Sequence, residues 1–145
     1  MSEDTFHLGI KALIRDSDGK ILLLQVNPAK LNGERKNYWD LPGGRVQKNQ
    51  NIADTLKREV VEETGINDIQ VTREVGMTLS NIRIPLSDHE SVGLILGIYE
   101  CRISGDDDIV LSDEHIDFDW FAPSKAAELL AVKYPEQFCN SIASM

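Results

Sequence analysis

Apolar residues recur at helical period through Ile52, Ala53, Leu56 and Val60, which predicts an amphipathic helix in the first half of the chain. Elsewhere the pattern is that of strands. Residues 6–15 and 20–26 read as two strands joined by a turn at Asp16-Ser17-Asp18-Gly19. Residues 38–44 read as a short strand running into a glycine pair, and residues 69–79, 92–103 and 115–121 as later strands. Residues 123–132 read as a helix with Ser124 near its start, and a short final helix follows Pro135. The connections are polar: residues 27–37, a proline-containing stretch at 81–90, and a turn at Gly105-Asp106-Asp107-Asp108. Strands alternating with two or three helices give an α/β class.

The central helix is specified at both ends. Asn51 suits the N-cap, and Asp54 three residues on approximates a capping box. Gly65 suits the left-handed position that ends a helix. Between these signals lies Arg58-Glu59-Val60-Val61-Glu62-Glu63. At ~100° per residue, Glu59, Glu62 and Glu63 share a narrow arc beside the apolar stripe. Like charges at these spacings cost a helix a few tenths of a kcal/mol per pair. A solvated acidic face is one reading of them. A missing cation is the other, and carboxylates without His or Cys suggest a hard ion, Mg²⁺ or Mn²⁺. Gly43-Gly44 just upstream permits positive φ and close backbone approach to a ligand.

The chain has 145 residues, enough for one core, and one domain spanning 1–145 is expected. The formal net charge of −9 argues against binding duplex nucleic acid, which requires phosphate neutralisation by Lys and Arg. It leaves a small phosphate substrate open. The acidic start lacks the order of a signal peptide, and the longest apolar stretch, residues 92–99, is too short to span a bilayer. No membrane partner and a cytoplasmic location are expected. Cys101 and Cys139 lack metal-ligand spacing and read as free buried thiols, with a disulfide not ruled out by sequence.

The stretch from Gly44 to Ile66 resembles the signature of the Nudix hydrolases, the MutT-like family. That signature has a glycine, a glutamate at the sixth following position, and, eight further on, Arg-Glu-U-x-Glu-Glu-x-Gly-U with U aliphatic. Gly44, Arg58, Glu59, Val60, Glu62, Glu63, Gly65 and Ile66 match, and Leu41-Pro42-Gly43 matches the usual lead-in. The resemblance implies an α/β/α sandwich with a mixed sheet between helices. One position departs: Gln50 stands where the family has its first glutamate, with Gln47 and Asn49 nearby also atypical. Gln50 keeps an acceptor oxygen but loses the charge, so Arg58 loses an expected partner that Glu62 at i+4 could replace.

The resemblance further implies a metal-dependent pyrophosphohydrolase acting on a nucleoside diphosphate linked to another moiety. Glu59, Glu62 and Glu63, with the Gly43 carbonyl, would hold Mg²⁺ or Mn²⁺. Glu63 or Glu114 would take the proton of the attacking water, and Arg58 would orient the carboxylates. Glu114 can equally be a solvated loop residue, and His115 is a weaker candidate base. His7 and His89 read as ordinary surface or strand residues. Arg45 is placed to approach a phosphate, Arg35 and Lys36 with Lys30 could cover one from the loop, and Trp39 or Tyr38 could stack on a base unless they belong to the core. Relatives are often homodimers, so a homodimer is open to this chain. Gln50 keeps a second reading alive, a catalytically weak nucleotide-binding or sensor domain. RNA-cap hydrolysis is the least favoured, because the chain is short and acidic.

Overall fold

The structure is a computed structural model describing residues 2–30, 38–105 and 108–145. Its strands are β1 Phe6–Arg15, β2 Ile21–Val26, β3 Trp39–Asp40, β4 Gly43–Arg45, β5 Gln70–Leu79, β6 Ile84–Pro85, β7 Ser91–Arg102 and β8 His115–Phe121. Its helices are α1 Ile52–Thr64, α2 Pro123–Leu130 and α3 Glu136–Ala143, with a 3₁₀ turn at Pro28–Lys30. The sheet runs β3-β2-β1-β7-β5, with β4 added on β1, β6 on β7 and β8 on β2. β1 and β7 are parallel from Phe6↔Gly93 to Arg15↔Arg102. The remaining pairings are antiparallel, so the sheet is mixed.

Side chains alternate across a strand, and here both faces are covered. Ile10, Ala12, Ile14, Leu22 and Leu24 pack with Leu56 and Val60 of α1. Leu13, Ile21 and Leu23 point the other way, into a core shared with Ala126, Leu130, Phe138 and Ile142 of α2 and α3. This is why β1 and β2 carry consecutive apolar residues. The layers are α1, sheet, then α2 with α3, which is the expected α/β/α sandwich.

The ends of α1 behave as the sequence indicates. Asn51 accepts the Asp54 N–H at 2.8 Å, and Gly65 takes φ 78° with its N–H on the Val61 carbonyl. α2 starts with Pro123 at its first turn and no side-chain cap. It stops at Leu130, short of the expected residue 132. The Asn81 amide donates to the Ala131 and Tyr134 carbonyls at 3.2 and 3.0 Å, satisfying groups that would otherwise call for a longer helix. The polar connection at 81–90 contains β6, which pairs with β7 through Ile84↔Val92. Alternating Ile82, Ile84 and Leu86 were its sequence signal. The expected strand at 38–44 is two short strands, because the chain turns at Leu41-Pro42 from pairing with β2 to pairing with β1.

Cys101 and Cys139 are free and buried in the cores on opposite faces of the sheet, so they cannot bridge. Among the described residues no helix is long and apolar enough to cross a membrane. Leu56 is 2% exposed beneath the signature helix. Leu56→Ala should lower stability by about 2–5 kcal/mol in urea unfolding. A loss under about 1 kcal/mol would contradict this packing.

Candidate active site

β4 brings two glycines against β1, with Gly43 opposite Lys11 and Gly44 opposite Ile10. Gly43 has φ 151°, and a Cβ there would lie 2.0 Å from the Ile10 carbonyl oxygen. A Cβ on Gly44 would lie 2.4 Å from the Glu59 carboxyl carbon. Backbone closes Gly43 to any side chain, and a side chain at Gly44 would have to push the Glu59 carboxylate aside. The absence of side chains lets α1 approach until its carboxylates touch the strand. The Gly43 N–H donates to Glu63 Oε1 at 2.7 Å.

The α1 carboxylates are not equivalent. The Glu63 side chain is 6% exposed, while that of Glu62 is 55% exposed. Burial pushes the Glu63 carboxyl up to about 8, against the opposing pull of Lys11 and the Gly43 N–H. Burial also raises Glu59, reinforced by Glu62 and Glu114 and opposed by Arg58. Arg58 sits among Gln50 Oε1 at 3.1 Å, Glu59 Oε1 at 3.3 Å and Glu62 Oε1 at 3.7 Å. Gln50 therefore retains the contact with Arg58 through its amide oxygen. The same oxygen accepts the Gln47 N–H at 3.2 Å, and Asn49 takes φ 66° in the loop between them. Asn tolerates that conformation better than most residues with a Cβ.

These groups open on a cleft of about 680 Å³. Glu59, Glu63, Glu114, Gly43 and Arg45 line it, as do the apolar side chains of Ile82, Ile84, Leu86, Leu94 and Leu96. Glu62 is not among the lining residues. The Glu114 loop is tied to the end of β2. Asn27 donates its N–H to the Glu114 carbonyl at 2.8 Å, and Lys30 pairs with Asp113 at 3.1 Å. Arg45 lies 3.2 Å from His7 Nδ1. Arg35 and Lys36 lie outside the described residues. Trp39 packs edge-to-face on Phe121 at 5.2 Å, on the α2–α3 side, and does not line the cleft. Its neighbour Tyr38 does.

His115 is more central than its sequence context suggested. Its side chain is 7% exposed, and Nδ1 stands 3.8 Å from Glu63 Oε2. Burial, with Lys11 and Lys133, lowers the imidazole to about 4. Between about 4 and about 8 both His115 and Glu63 are neutral, so their approach is not an ion pair.

A buried polar network also lines the cleft, and sequence reasoning missed it. Asp40 Oδ2 accepts Lys11 at 3.0 Å and Lys133 at 2.6 Å, while Oδ1 accepts the Tyr134 hydroxyl at 2.7 Å and the Leu41 N–H at 2.8 Å. Burial alone would raise Asp40, but the two lysines hold it well below the usual carboxylate range. Burial lowers Lys133 to about 8. Burial would also lower Lys11, yet Asp40 and Glu63 carry it above its ordinary value. Ser80 and Asn81 grip the Lys133 carbonyl at 2.9 and 2.8 Å and so fix the segment that carries this lysine. Lys133 and Tyr134 are 93 and 94 residues from Asp40, and no local motif announces the contact.

A family model described as the NUDIX domain matches residues 5–139. The chain belongs to the Nudix family. It is 31% identical over 114 residues to a protein named nucleoside triphosphatase NudI from Salmonella agona, a match covering 77% of this chain and 79% of that one. A protein named 8-oxo-dGTP diphosphatase from Buchnera aphidicola is 56% identical over 32 residues, but the match spans only 26% of that protein's length. Among solved structures, a MutT protein from Methanosarcina mazei superposes with TM-score 0.72 at 25% identity, covering 99% of this chain and 97% of that one. A C. elegans Ap4A hydrolase superposes with TM-score 0.70 at 18% identity over 95% and 96% of the two chains, which shows the shared fold. This Nudix chain is an enzyme, a hydrolase acting on phosphoric anhydride bonds.

The donor chemistry fits a divalent ion. Oxygen ligands converge from α1 and from the Glu114 loop, and Glu63, Glu114 and His115 each offer a ligand atom within 4.8 Å of the others. Two predictions follow from the electrostatics. The folded-state value of Glu63 is raised, so its contribution to stability is full below the ordinary carboxyl range and is lost as pH rises toward about 8. The metal-free protein should therefore gain stability from Glu63→Gln, with a gain that grows between about pH 5 and pH 8 in thermal unfolding. A gain independent of pH would contradict the burial of an ionisable carboxyl. Asp40→Asn, which leaves two buried lysines without their shared anion, should destabilise by about 3–5 kcal/mol in denaturant unfolding. A neutral result would show that the network contributes nothing to the fold.

Proposed function

We propose that this Nudix hydrolase cleaves a nucleoside diphosphate linked to a further moiety, a nucleoside triphosphate or related substrate, with Mg²⁺ or Mn²⁺. The observation that carries this reading is the mixed lining of the cleft. Buried and half-buried carboxylates and Arg45 line it together with Tyr38 and the apolar side chains of Ile82, Ile84, Leu86, Leu94 and Leu96. Phosphates belong with the charged groups and a nucleobase with the apolar ones. The triphosphatase and diphosphatase names of the curated relatives support the same substrate class.

Glu59 and Glu63, with the Gly43 carbonyl, would hold the ion, and Glu62 would anchor Arg58 at the rim while adding negative charge. When bound, the ion supplies charge neutralisation on the phosphate oxygens and lowers the pKa of water. Glu114, exposed on its loop and facing the cleft, takes the proton as water oxygen attacks phosphorus. The anhydride P–O bond breaks, and each product leaves with phosphate. Arg58 orients Glu59 and Glu62 and does not meet the reacting atoms. Gln50 still engages Arg58. That contact supports an intact signature loop, while the charge missing at Gln50 is what the binding-module reading still rests on.

The test is Mg²⁺-dependent turnover of a panel of nucleoside triphosphates, nucleotide sugars, ADP-ribose and dinucleoside polyphosphates. Glu63→Gln should lower kcat by about 10²-fold or more with an unchanged circular dichroism spectrum. Full activity in that variant would overturn the assignment, and so would absence of turnover across the panel with either metal.

A further inference from the structure

We propose that His115 is a metal ligand, forming with Glu63 a mixed nitrogen–oxygen site selective for a first-row transition ion over Mg²⁺, with Glu114 beside it free to take the water proton. The inference deepens the functional reading of the cleft and rests on its divalent ion. Two separate elements converge there. α1 delivers Glu63, and the loop entering β8 delivers Glu114 and His115. One ligand atom from each of the three falls within 4.8 Å of the other two.

The independent observation is the imidazole itself. His115 Nδ1 is buried and has no hydrogen-bond partner among the described residues. It is aimed at Glu63, whose Oε1 is already taken by the Gly43 N–H and whose Oε2 stands 3.8 Å away. That separation is too long for a hydrogen bond. It suits two ligands of one ion, since atoms each ~2.1 Å from a metal stand ~3–4 Å apart according to the angle between them. A ring nitrogen held in this way is a structural cost unless something bonds to it.

The chemical consequence is metal choice. Mg²⁺ takes oxygen ligands and keeps its waters, whereas imidazole nitrogen favours the ions from Mn²⁺ along the series to Zn²⁺. A carboxylate-only centre would show little such preference. His115 would therefore set which ion this cleft retains when several are present.

The probe is Mn²⁺ alone, added to the full chain and read by pulsed electron paramagnetic resonance. The expected result is a nitrogen coupling that changes when histidine is labelled with ¹⁵N and disappears in His115→Gln. Mn²⁺ affinity should fall about tenfold or more in that variant, while Mg²⁺ affinity changes less than about threefold. Mn²⁺ bound without nitrogen coupling, coupling that survives the substitution, or no Mn²⁺ binding at all would each overturn the proposal. If His115→Gln does not fold, labelled protein carrying His7→Gln and His89→Gln, in which His115 is the one histidine left, decides the matter: the coupling must persist there. Hydrolysis of the panel with Mg²⁺ by a protein that shows no nitrogen coupling would sink this inference and leave the functional reading standing. Nitrogen coupling without hydrolysis of any substrate would do the reverse.

Discussion

One hydrogen bond ties the site to the fold: the Gly43 N–H to the Glu63 carboxyl, 2.7 Å long and buried. It joins the middle strand layer to the signature helix at the point where neither partner tolerates displacement. Gly43 has no room for a Cβ against β1, and a Cβ at Gly44 would displace the Glu59 carboxylate. The two glycines therefore let the helix lie close enough to the strand to place Glu59 and Glu63 against it. Leu56, one turn before Glu59, and Val60, one turn before Glu63, hold the other edge of the helix in the core. Geometry at the site is thus a consequence of packing on both sides of a single helix.

Burial then gives the carboxylates their chemistry. Glu63 and His115 stand 3.8 Å apart, and the charges of Lys11 and Asp40 act on both of them. Asp40 draws both Lys11 and Lys133 into the floor beside the cleft, so positive charge is stored next to the carboxylates. Isolated buried charges are expensive, and these persist because each has charge-assisted hydrogen bonds. The lining of the cleft thus combines carboxylates, the Lys11–Asp40–Lys133 network and apolar side chains. That combination suits a ligand with a polyphosphate at one end and a weakly polar group at the other.

Much of this was legible in the sequence because it depends on local pattern. The period of Ile52, Leu56 and Val60, the Asn51 cap and the Gly65 terminator fix α1 without any distant partner. The Gly43-Gly44 pair and the three glutamates stand within one short stretch, so their association could be read before any coordinates. The difference among Glu59, Glu62 and Glu63 could not, because exposure depends on how the helix rolls against β4. The role expected for Gln50 as a lost contact was too pessimistic, since hydrogen bonding to Arg58 needs an oxygen and not a full charge. The Lys11–Asp40–Lys133–Tyr134 network was invisible because its members come from β1, β3 and the segment after α2. Trp39 illustrates the converse: alternation across a strand turned it to the helical core and left Tyr38 facing the cleft.

The central claim is that the α1 carboxylates and the loop carrying Glu114 surround one divalent-ion position in this cleft. Anomalous diffraction from crystals soaked in Mn²⁺ tests it most directly. The account predicts a peak bonded to Glu63 Oε2, on the side away from the Gly43 N–H. Mn²⁺ peaks confined to other surfaces, with the Glu63 pocket empty at saturating metal, would contradict it.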